Sequence, residues 1–95
     1  MVELITSRIT ATVLWMPESW EKRGISREDM ERKVVRAVQK DKNEIEMGVG
    51  NSTFYFWLEK APLESKPDSI HGMVELNSFT LDTMTRYYLR LSQIL

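Results

Sequence analysis

The chain contains no cysteine, one histidine (His71), three prolines and four glycines among its 95 residues. Without thiols there is no disulfide framework, no thiolate nucleophile and no zinc site that depends on sulfur. One imidazole likewise removes any multi-histidine metal centre. The longest unbroken apolar run is the five residues Phe54 to Leu58, far short of the roughly 20 that span a bilayer as a helix. Neither sign of charge dominates. Thirteen basic and fourteen acidic side chains leave a formal net of -1, without the basic excess of a general polyanion binder. Met1-Val2-Glu3-Leu4 places an acid where a secretory leader carries Lys or Arg, and no apolar core of signal length precedes Arg8. A cytoplasmic location is therefore expected, and Asn51-Ser52-Thr53 reads as a turn rather than a glycosylation acceptor.

What is present is a globular composition, 42% hydrophobic and 28% charged, in a length suited to a single domain over 1–95. Ile5, Ile9, Ala11, Val13 and Trp15 alternate with Thr6, Arg8, Thr10 and Thr12, which predicts a half-buried strand ended by Pro17. A short helical turn is expected within 17–25. Ser26 then caps a helix predicted over 26–41: Asp29 stands at its third position, and Ile25 and Met30 flank the cap as a hydrophobic staple. Met30, Val34, Ala37 and Val38 form its apolar stripe. Glu28 to Arg32 and Asp29 to Lys33 are acid-before-base pairs at i,i+4.

A hairpin follows. With Gly50-Asn51 as a two-residue turn, Val49 opposes Ser52, Met47 opposes Phe54 and Ile45 opposes Phe56, so both apolar sets share one face. Glu44, Glu46, Thr53, Tyr55 and Trp57 fall on the other. Residues 59–72, with two prolines and mixed charges, read as a loop, followed by a short strand over 73–77. Ser78 or Thr80 then caps an expected final helix, with Leu81, Met84, Tyr88, Leu91 and Leu95 as its stripe and Asp82 to Arg86 as an i,i+4 pair. The expected fold is α+β: a two-layer sandwich in which an antiparallel sheet of three to four strands carries two helices on one face, in the order β-α-β-β-β-α.

Chemistry-bearing patterns are sparse. Gly48-Val49-Gly50 lacks the third glycine and following helix of a phosphate loop. His71, with Asp68 or Glu75 nearby, lacks a supporting catalytic motif. Glu44 and Glu46, about 7 Å apart along a strand, are too few for an oxygen-ligated cation. No enzyme activity, cofactor or metal is expected. Eight basic and five acidic residues lie between Glu21 and Lys42, a local +3. Arg32, Arg36 and Lys40, with Lys33 beside them, recur on the exposed side of the predicted helix.

Two expectations follow. The leading one is a non-enzymatic protein-binding module, such as a stoichiometric inhibitor, an immunity-type antidote or an adaptor. It docks through Glu44, Glu46, Tyr55 and Trp57, helped by Thr10 and Thr12, with Trp20 as a further anchor. A homodimer through that face or an exposed edge strand is its nearest variant. The alternative is nucleic-acid binding through Arg32, Lys33, Arg36 and Lys40. No membrane partner is expected.

Overall fold

The computed structural model describes residues 9–61, 72–78 and 83–95. Its elements are β1 (Ile9–Trp15), α1 (Glu18–Lys22), α2 (Arg27–Gln39), β2 (Glu44–Val49), β3 (Ser52–Ala61), β4 (Gly72–Ser78) and β5 (Thr83–Ile94). The strands form one antiparallel sheet in the order β1-β4-β5-β3-β2. That sheet curls into a half-barrel, and α2 packs against β1 and β2, the strands at its two opposite edges.

Local chemistry explains both ends of α2. The Ser26 hydroxyl accepts a hydrogen bond from the Asp29 N–H at 3.2 Å, and Ile25 and Met30 are both buried beside it, completing the staple. At the other end Asp41 takes a left-handed conformation (φ 55°). This lets the Lys42 N–H reach the Ala37 carbonyl (2.8 Å) and the Asp41 N–H reach that of Val38 (3.1 Å), the paired closure of a Schellman motif. Asp29 pairs with Arg32, one residue short of the i,i+4 spacing read from the sequence.

The hairpin has the expected register, with Ile45 opposite Phe56, Met47 opposite Phe54 and Val49 opposite Ser52. Gly50 sits at φ +59° in the first turn position, where a type II′ turn needs glycine. Ile45, Met47, Phe54, Phe56 and Leu58 face the core, joined by Val74, Leu76 and Leu89 from the strands beyond and by Met30, Val34 and Ala37 from α2.

The expectation of a final helix is wrong. Residues 83–94 form β5, the longest strand described and the centre of the sheet, between β4 and β3. Its apolar residues satisfy a period of 3.6, but Tyr87, Leu89 and Leu91 against Arg86, Tyr88 and Arg90 also satisfy a period of two. The run is rich in threonine and tyrosine, which favour strands. The fold is thus α+β, with five strands and the helices α1 and α2 in place of a three- to four-stranded sandwich.

Smaller corrections have equally local causes. Trp15 does not share a face with Val13, because a bulge at Leu14 shifts the β1–β4 register and sets Trp15 opposite Met73. β3 extends to Ala61 and β4 begins at Gly72, so both ends of the expected 59–72 loop are strand. The expected positions Ile5, Thr6 and Arg8, and Asp68 and His71, lie outside the described residues.

Candidate protein-binding face

Successive strands continue each row of side chains across the sheet, so the register places every outward residue. Glu44, Trp57 and Arg90 stand in one row and Glu46, Tyr55 and Gln93 in the next. Further along, Glu59, Tyr88, Met73 and Trp15 align, and then Ala61, Arg86, Glu75 and Thr12. All of these lie on the face opposite α2. Trp57 is 39% exposed, Tyr55 is half-buried, and Glu44 and Glu46 are exposed.

The structure therefore brings together four of the five expected protein-binding residues. Trp20 is the exception. It is 4% exposed and meets Phe56 edge-on, with ring centroids 4.9 Å apart at 61°. The cause lies in β4: a Cβ on Gly72 would sit 2.9 Å from Trp20 Cζ3, so glycine leaves the space the indole fills. Trp20 anchors the core and takes no part in a surface. Thr10 and Thr12 are exposed on the same face as Trp57, but they belong to β1. Three strands separate them from β2, about 19 Å of sheet at the usual strand spacing.

Two residues join the face that sequence reasoning missed, Arg90 and Arg86. Arg90 lies opposite Trp57 and meets Glu59 at 3.5 Å. Arg86 meets Glu75 at 3.3 Å in a half-buried pair. The signal for both was the alternate period in β5. Ser92 supports this edge of the patch, its hydroxyl donating to the Tyr55 carbonyl at 3.0 Å where the β3–β5 register shifts. The face is thus mixed in charge rather than acidic, with arginines flanking the aromatics on one side and carboxylates on the other.

The residues of the nucleic-acid alternative are also all exposed, along α2: Arg32, Lys33, Arg36 and Lys40. Arg32 is engaged by Asp29. Among the described residues, Lys33, Arg36 and Lys40 make no ion pair.

No His, Cys, Asp and Glu grouping of three or more among the described residues is arranged to hold a metal ion. No helix among the described residues is long and apolar enough to cross a membrane. Burial raises the Tyr87 phenol above its ordinary value of 10.0. No family model, curated protein or solved structure matches the chain.

Proposed function

We propose that the chain is a cytoplasmic, non-enzymatic protein-binding module that docks through Tyr55, Trp57, Glu44 and Glu46 on the outer face of the sheet. The observation that carries this is the position of Trp57, exposed between Glu44 and Arg90 on β3, which is paired on both sides. A large, ordered aromatic flanked by charges of both signs is the usual make-up of a binding anchor. An inhibitor, an immunity-type antidote and an adaptor are the roles such a module fills.

The test uses tagged wild-type protein, Trp57→Arg, and Leu14→Arg as a control at another exposed apolar position. For a partner captured by the wild type, Trp57→Arg is expected to weaken binding by roughly thirtyfold or more, the size of a hot-spot loss. Leu14→Arg leaves it unchanged. A folded Trp57→Arg protein that keeps full affinity overturns the reading. Light scattering on the same proteins distinguishes a foreign partner from a second copy.

The competing nucleic-acid reading draws on the unpaired cations of α2. Against it, Glu44 and Glu46 line the same hollow as Lys33, Arg36 and Lys40, and their carboxylates repel a phosphate backbone.

A further inference from the structure

The edge of the sheet at β2 is an open ladder. The Leu58 N–H donates to the Asn43 carbonyl at 2.8 Å in line with the β2–β3 register, so the hydrogen-bonded positions of β2 are Ile45, Met47 and Val49. The backbone groups of Glu44, Glu46 and Gly48 therefore point away from β3, on a side that no strand occupies among the described residues. Among the described residues those groups make no hydrogen bond.

Beside this edge run two hollows of 320 and 260 Å³ that share Lys33 and Arg36. Lys33, Arg36 and Lys40 form the helix wall of the first, and Glu44 and Glu46 form its strand wall. The second reaches Met47 and Gly48. In the first hollow the cations of α2 face the carboxylates of β2, with Lys42 also lining it; in the second, the helix carboxylate Asp29 is paired with Arg32, which leaves Lys33 and Arg36 as the unpaired charges.

We propose that β2 accepts an extended segment of a partner protein as a sixth strand, its acidic side chains directed at Lys33, Arg36 and Lys40 and its alternate, basic side chains beside Glu44 and Glu46. Strand addition supplies main-chain hydrogen bonds, and alternate side chains supply specificity. About five residues cover Glu44 to Gly48 at ~3.3 Å each. A polyanion matches only one wall of the groove. A second copy of this chain fits worse, since pairing β2 with itself sets Glu44 and Glu46 of both copies on one face. The groove shares Glu44 and Glu46 with the proposed docking face but does not include Trp57.

The probe is a blocked eight-residue peptide alternating Glu and Lys, with two controls: the same composition in two blocks, and the alternating peptide N-methylated at every second residue. Titrated into isotope-labelled full chain to about 1 mM, a range suited to weak complexes, the alternating peptide is expected to slow hydrogen exchange at the Glu46 and Gly48 amides by roughly tenfold. Both controls fail to do so. Lys33→Glu with Arg36→Glu weakens the effect by roughly tenfold, and Trp57→Arg leaves it intact, separating this site from the outer face. Unchanged exchange at those amides overturns the proposal, as does equal protection by the N-methylated peptide. An oligonucleotide that binds Lys33 and Arg36 and displaces the alternating peptide from an unprotected β2 edge also overturns it.

Discussion

β1 and β2 are the two edge strands of one sheet and both touch α2, yet the helix treats them differently. At β1 it caps one position of the edge: a Glu31 carboxylate oxygen accepts the outward Val13 N–H at 2.9 Å, and Arg27 reaches the Val13 carbonyl at 3.5 Å. At β2 the same helix presents Lys33, Arg36 and Lys40, which stop short of the strand's outward backbone. An unpaired strand edge invites another chain, and proteins commonly block it with side chains or charge. Here the β1 edge is capped at one position, Val13, by side-chain hydrogen bonds to the backbone, and a hollow lined by Ile9, Ala11 and Val35 runs beside the rest of it. The other has no such cap among the described residues: Glu44 and Glu46 line a hollow opposite Lys33, Arg36 and Lys40, the arrangement on which the proposed strand addition rests.

The largest effect expected tests what the two edges share. Phe56 is fully buried beneath the middle of the sheet and against Trp20. Phe56→Ala is expected to cost about 3–5 kcal/mol in urea unfolding and to loosen both edges together. A loss confined to one edge would break the picture of a common core.

A smaller effect is expected at the capped edge. Glu31→Ala strands the Val13 N–H and should cost about 1–3 kcal/mol, whereas Glu31→Gln, which keeps an acceptor, should cost less. Equal stability of all three proteins in urea would mean that the carboxylate does not cap β1.

The smallest change in stability is expected at the open edge. Glu44→Thr with Glu46→Thr alters exposed side chains only and should stay within about 0.5 kcal/mol of the parent. It removes the like charges that oppose self-pairing, so sedimentation should show a concentration-dependent dimer absent from the parent. A variant that stays monomeric at every concentration would show that the carboxylates do not guard this edge.

This asymmetry was only partly legible in the amino-acid sequence. The hairpin and α2 could be read because their signals are local: the alternation on either side of Gly50-Asn51, and the Ser26 cap with Ile25 and Met30. Together they already placed Tyr55 and Trp57 on the face away from Phe54 and Phe56. β5 could not be read the same way, because the run fits a helical stripe (Met84, Tyr88, Leu91, Leu95) as well as a strand alternation (Tyr87, Leu89, Leu91). Only ladders on both sides, to Gly72–Ser78 and to Phe54–Ala61, decide between them. With β5 misread, Arg86 and Arg90 were missing from the outer face. Which hairpin strand forms an edge also depends on sheet order, a long-range property. Trp20 shows the same limit: its burial depends on a glycine fifty-two positions away, at Gly72.

Native-state hydrogen exchange on the free protein, read at individual amides, tests the contrast between the edges most directly. The Val13 amide, held by Glu31, should be protected, while the outward amides of Glu44, Glu46 and Gly48 exchange close to the rate of an unstructured chain. Strong protection at the three β2 amides, or none at Val13, would contradict the account.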